Sequence, residues 1–275
     1  MMQARNGNVV GLITLAALVA VAGCSRLTFI KPKFKNDYHR TAPEYNVHDD
    51  PADAQRMLAI DRVSLAQQDL GAGQLDQAEV EARKALKADP RSANAYSLLG
   101  MIEEQRGHEP QAGADYAKAV ALAPTSGALL NNYGAWLCGS GQAAASLSLF
   151  DRALADSAYP TPAAAMANAG SCALRAGQME RARSNLTQAL ALDPANPVGL
   201  AAMAESEYRA GRYLEARAFS ERRLAVAPAS VQVLQLASQI EQKLGDTAAA
   251  ARYVQRIGTE FPQTRAAPPG DAIQQ

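Results

Sequence analysis

From about residue 55 onward the apolar and polar positions of the chain follow a helical period that is broken at fixed intervals by glycine and proline. In "LLNNYGAWLCGSG" (129–141), Leu130, Tyr133 and Leu137 share one helix face, and Asn131 and Asn132 fall beside it. Glycines recur in "AGQLDQA", "RGHEPQA", "SGQAAAS", "AGQMERA", "AGRYLEA" and "LGDTAAA" as Gly73, Gly107, Gly141, Gly177, Gly211 and Gly245, spaced 34, 34, 36, 34 and 34 residues apart. Seventeen residues after five of these glycines stands a proline: Pro90, Pro124, Pro194, Pro228 and Pro262. In the third interval that place is Ala158, and two extra residues carry the chain into "YPTP" (159–162). Proline lacks an amide donor and clashes with the preceding turn, so it stops a helix. The pattern therefore predicts six consecutive helix–turn–helix units and an all-α fold.

The period and its residues resemble the tetratricopeptide repeat. The second unit fits best, with Tyr96, Leu99, Gly100, Ala112, Tyr116, Ala119 and Pro124 at the signature places. Small residues on helix A (Gly100, Gly134, Gly170, Ala204) and helix B (Ala78, Ala112, Ala182, Ala216, Ala250) let the two helices approach closely. Ser146 and Ser220 stand where alanine and an aromatic are usual, which makes repeats three and five slightly degenerate. A single unit cannot bury its apolar face alone, so the resemblance implies a right-handed superhelix of six repeats over residues 51–262. Its concave wall would be lined by the A helices, mainly at repeat positions 2, 5, 6, 9, 12 and 13. Counted from Gly127, Asn131 and Asn132 are positions 5 and 6; Asn94 and Ser97 are positions 2 and 5 of repeat two, and Asn168 and Ser171 positions 6 and 9 of repeat four. Amides donate and accept, which suits them to hold the backbone of a partner peptide; capping of local backbone, or simple exposure to water, is the other reading. Paired lysines that clamp a C-terminal carboxylate in chaperone-binding repeat proteins are missing, and Asn131 holds one such place.

Cys138 and Cys172 lie toward the ends of the A helices of repeats three and four. Packed helices run roughly 8–10 Å apart, within reach of a disulfide if the Cβ vectors converge. The expectation is a Cys138–Cys172 bond that pins the junction where the two-residue insertion would otherwise loosen the stack; two small buried thiols are the alternative.

The remaining sequence decides where such a repeat domain would act. "VVGLITLAALVAVAG" is fifteen residues without a charge, the length of a signal-peptide core and too short to span a membrane comfortably. It ends in Val21-Ala22-Gly23-Cys24, which resembles a lipobox, with residues 1–23 as leader and Cys24 as the acylated, palmitate-bearing first residue; an ordinary secretory site with an incidental cysteine is the competing reading. By resemblance to bacterial lipoproteins, Ser25 favours the periplasmic face of the outer membrane, an oxidising compartment. Residues 24–50, with Pro32, Pro43 and the basic Arg26, Lys31, Lys33, Lys35 and Arg40, read as a flexible tether spanning roughly 25–30 Å. The tail "QTRAAPPGDAIQQ" (263–275) is expected to be disordered.

Composition excludes more than it suggests. Of 275 residues, 48% are hydrophobic and 5% aromatic, and 27 Lys+Arg balance 27 Asp+Glu, so no basic footprint points to nucleic acid. The histidines (His39, His48, His108) show no metal-ligand spacing with cysteine or carboxylate. "HDD" (48–50) reads as a helix start, and Glu205, Glu207 and Arg209 as a solvated or groove-facing surface. No nucleophile elbow or phosphate-cradling loop occurs. An enzyme, a cofactor and a metal are therefore not expected, and the chain is expected to be a monomer.

The lipobox, the tether, the six repeats, "NNYGAWLC" and "ALADSAYPTPAAAMANAGSCALRAGQ" together resemble the type IV pilus biogenesis lipoproteins of the PilF/PilW family, most sharply over 127–180. The resemblance implies a pilotin, which helps an outer-membrane secretin reach its membrane and assemble into a multimer. Cys24 would be the anchor, and Asn94, Asn131, Asn132 and Asn168 the groove contacts. The outer face of repeat one (Leu65, Leu70) is a competing surface. An adaptor for another envelope assembly machine would share the anchor and the repeats.

Overall fold

The computed structural model describes residues 50–262. The leader, Cys24 with the tether up to residue 49, His39, His48 and the tail 263–275 lie outside the described residues. Within them the chain forms twelve helices and no strand. The first repeat contains α1 (Pro51–Gly71) and α2 (Leu75–Ala88), the second α3 (Ala93–Gln105) and α4 (Glu109–Leu122). The third contains α5 (Gly127–Gly139) and α6 (Ala143–Leu154), the fourth α7 (Pro162–Arg175) and α8 (Met179–Leu192). The fifth contains α9 (Pro197–Arg209) and α10 (Tyr213–Val226), the sixth α11 (Val231–Leu244) and α12 (Thr247–Glu260). The odd-numbered helices are the A helices. Each packs on its own B helix, on the B helix before it and on the neighbouring A helices, so the array is a solenoid.

Local chemistry sets both ends of these helices. Asp50 caps α1 by accepting the Ala52 amide at 3.0 Å, and Pro51 occupies the first turn, where its missing donor costs nothing. All six ruler glycines have positive φ, between 74° and 87°. That left-handed turn lets the residue after the glycine donate back to the last turn of helix A, as Gln74 does to Asp69 at 2.9 Å and His108 to Glu103 at 2.8 Å. Helices α2, α4, α8, α10 and α12 all stop two residues before their proline.

Close approach within a repeat depends on a small residue of helix A facing a large one of helix B. A Cβ added at Gly100 would lie 3.0 Å from the Tyr116 ring; at Gly134, 3.0 Å from Phe150; at Gly170, 2.6 Å from Leu186. Tyr116, Phe150 and Leu186 are all buried, as are Ala78, Ala112, Ala182, Ala216 and Ala250 opposite. The degenerate third repeat keeps this packing because the buried Ser146 hydroxyl donates to the Ala143 carbonyl at 2.7 Å.

The two-residue insertion does not behave as the sequence suggested. Helix α6 ends early, at Leu154, and the following residues fold back onto their own repeat. Asp156 accepts the Gly127 amide at 2.8 Å and the Ala158 amide at 2.9 Å, so one carboxylate caps α5 and fixes the loop. Tyr159, 9% exposed, packs with Leu130, Leu137, Leu149, Ala153 and Ala165. Burying such a ring is worth about 1.5–3 kcal/mol. The insertion adds core to the third repeat instead of loosening the stack.

Leu70 and Glu207 also need correction. Leu70 is buried in the core of the first two repeats, so only Leu65 of that pair faces solvent. Glu207 is buried and held by Arg212, with Arg183 3.9 Å away, so it is not solvated surface. Glu205 and Arg209 do form an exposed i,i+4 pair.

Candidate partner-binding groove

Helices α3, α5 and α7 follow one another in contact along the solenoid and carry the residues singled out for the groove. Asn94 is exposed at the start of α3, Ser97 is buried, and Asn132, Asn168 and Ser171 are half-buried. Asn131 is only 9% exposed. Asn132 reaches back one repeat and donates to the Ser97 hydroxyl at 3.2 Å, while Asn131 reaches forward and accepts from the Asn168 amide at 3.0 Å. The two adjacent asparagines thus form two rungs, one to each neighbour. This differs from both readings of the sequence: neither asparagine merely caps backbone, and Asn131 is more a stacking element than a free contact. Asn132 keeps part of its hydrogen-bonding capacity, since an amide has four such valences.

Cys138 and Cys172 are joined by a disulfide between the ends of α5 and α7, with Cα atoms 5.8 Å apart. Both are buried beside Ala143, Leu147 and Phe150, and Arg175 donates to the Cys138 carbonyl at 3.4 Å. Repeats three and four are therefore tied by a covalent bond, a hydrogen-bond rung and shared core.

An open cleft of about 410 Å³ lies along this face. Met101, Glu104 and Gln105 of α3 line it, with Tyr116 of α4 and Asn132 and Ala135 of α5. The Tyr116 hydroxyl donates to Glu104 at 2.7 Å. Burial first, and then that bond to a carboxylate, holds the phenol far above its ordinary pKa. Tyr116, Tyr133 and Trp136 form a ring trio with centroids 5.9–6.4 Å apart. The Trp136 indole donates to Glu109 at 3.0 Å, and its Cη2 fills the space that a Cβ on Gly113 would need, 2.4 Å away. No partner for Trp136 was legible in the sequence. The available signal was Gly113, a glycine inside a helix, where it costs roughly 1 kcal/mol against alanine.

Among the described residues no group of three or more His, Cys, Asp or Glu side chains gathers in a way that could hold a metal. His108 sits against Glu103 at 2.6 Å, in a turn. The geometry is that of a recognition scaffold: stacked helices, a row of amides and hydroxyls, and an open cleft.

Family models described as tetratricopeptide repeat match residues 63–127 and 138–197, and a second such model matches 173–240, together more than half of the chain. The chain belongs to the tetratricopeptide-repeat family. Within it, the chain is similar to the type IV pilus assembly protein PilF of Pseudomonas aeruginosa, at 26% identity over 190 residues, covering 69% of this chain and 75% of that protein. Among solved structures it is similar to PilW, described as a widely conserved type IV pilus biogenesis factor. The identity is 29%, the TM-score 0.65, and the match covers 76% of this chain and 98% of that one. The structure of Pseudomonas aeruginosa PilF matches with a TM-score of 0.64 at 24% identity, covering 76% and 94% of the two chains, and speaks to fold.

Proposed function

We propose that this chain is a type IV pilus biogenesis factor that acts as a pilotin, binding the pilus secretin and promoting its localisation and multimer assembly at the outer membrane. One observation carries the proposal: the similarity to PilW runs over nearly the whole of that chain, at 29% identity. The lipobox-like Val21-Ala22-Gly23-Cys24 supports the membrane part, since acylation of Cys24 would supply the anchor. A repeat scaffold suits the binding part. Its A-helix face is fixed by the asparagine rungs and the disulfide before any partner arrives, so the ordering cost on binding falls on the partner segment.

Deletion of the gene followed by a secretin blot on unboiled membranes tests the reading. The expected result is loss of secretin multimers and of pilus-driven motility. Multimers that persist unchanged refute the pilotin role. A Cys24→Ala chain that still supports normal assembly removes the anchoring step alone.

A further inference from the structure

The cleft between α3, α4 and α5 carries chemistry that the asparagine rungs do not use. Glu104, its one charged lining residue, has Oε2 occupied by the Tyr116 hydroxyl. Among the described residues no lysine, arginine or histidine pairs with that carboxylate, although nearby Glu79 and Glu103 both pair with Arg106. Glu109, on the adjoining helix, is held by the Trp136 indole and likewise has no cation. Two carboxylates thus flank a trio of packed rings, and among the described residues neither has a counter-charge. The trio is also a built feature, because Gly113 gives up helix propensity to seat Trp136.

We propose that this cleft receives an arginine side chain from an extended segment of a partner polypeptide, the guanidinium pairing with Glu104 while Asn132 and Gln105 hydrogen-bond the segment's backbone. The inference rests on the reading of this face as a partner groove and names what the groove selects. A guanidinium is planar, weakly hydrated and rich in donors, so it can pair with the free Glu104 oxygen while its flat face lies on Met101 and Tyr116. A strongly hydrated ammonium gains less from that partly apolar lining. An acidic side chain would meet a like charge at Glu104, and a neutral one would leave Glu104 unpaired. At about 410 Å³ the cleft is within the range of ligand-sized sites.

Trp136 is the only tryptophan of the protein, and its ring packs 6.2 Å from that of Tyr116, which lines the cleft, so its emission reports on the site through that contact. The full chain in detergent micelles is titrated with the acetylated, amidated peptide Gly-Ser-Arg-Ser-Gly and with the same peptide carrying citrulline in place of arginine, following tryptophan emission. Saturable binding of the arginine peptide is expected. It should be at least about tenfold tighter than the citrulline peptide, and at least about tenfold tighter than to Glu104→Gln, since a charged hydrogen bond is lost in both. Glu104→Gln keeps an oxygen for the Tyr116 hydroxyl, so near-ultraviolet circular dichroism should match the parent. Equal binding of the two peptides, unchanged binding by Glu104→Gln, or no saturable response up to millimolar peptide overturns the proposal. The titration contains no secretin, so it can fail while the multimer blot succeeds, and the reverse.

Discussion

Replacing Gly127 with alanine probes the way the insertion is built into the third repeat. A Cβ there would lie 2.7 Å from Cβ and Cγ of Tyr159 and 2.9 Å from the Ala153 carbonyl oxygen. None of these is the free end of a flexible side chain, so backbone must move. Movement of α5 also stretches the 2.8 Å bond from the Gly127 amide to Asp156. Overpacking of this kind costs about 1–3 kcal/mol. The gain from alanine over glycine, at most about 1 kcal/mol inside a helix, is smaller at a first helical position. The net expectation is a loss of about 1–2 kcal/mol, a fall of roughly 2–8 °C in the melting temperature for a domain of this size. Thermal melts followed by far-ultraviolet circular dichroism and by Trp136 emission read it, because Trp136 packs against the same cluster as Tyr159. In a Tyr159→Gly background both the ring and its Cβ are gone, leaving only the Ala153 carbonyl close, so the penalty of Gly127→Ala should shrink below about 1 kcal/mol; neighbouring residues couple in this way. A Gly127→Ala protein as stable as the parent, or penalties that simply add, would refute the packing argument.

Other measurements bear on separate parts of the scaffold. Reduction, or Cys138→Ser with Cys172→Ser, should lower stability by up to about 4 kcal/mol for a loop of this length, seen as a drop in melting temperature; an unchanged melt would remove any stabilising role of the bond. Gly211→Ala forces a side chain into a φ of 75° and should cost about 1–2 kcal/mol, whereas Gly139→Ala, with nothing within 4 Å of the new Cβ, should cost nothing measurable. Arg106 first, and then Arg83, hold the Glu79 carboxyl below its ordinary value of 4.5. Its contribution is therefore complete above that value and lost as pH falls through the depressed one. Acid denaturation of Glu79→Gln should show a shallower pH dependence in that window, and an identical acid limb would rule the contribution out.

What the sequence disclosed and what it hid follow from the range of each interaction. The twelve helices and their turns were legible because glycine and proline act on the backbone within a few residues of themselves. The Cys138–Cys172 pairing was legible because a fixed repeat length converts sequence spacing into spatial neighbourhood. The asparagine rungs were only half legible: the ruler placed Asn131 and Asn132 on the A-helix face, but not which neighbour each would bond. Tyr159 was missed because its contacts run back to Gly127 and Leu130 through an insertion that breaks the ruler. Glu207 was misread because a charged residue near a helix end looks solvated until the arginines of two other segments close over it.

The ties between repeats differ in kind along the array. The first and second are joined by Arg106 to Asp76 and Glu79, the fifth and sixth by Arg217 to Glu241, and the fourth and fifth by Arg183 near Glu207 and by Arg209 donating to the Leu174 carbonyl. The third and fourth share an Arg181–Asp151 pair as well, but they alone are also joined covalently. Ionic contacts at partly exposed sites weaken as salt rises, and a disulfide does not. Considered as a spring, the protein has coils of unequal compliance: its ends soften or stiffen with the surrounding electrolyte while its middle keeps one curvature.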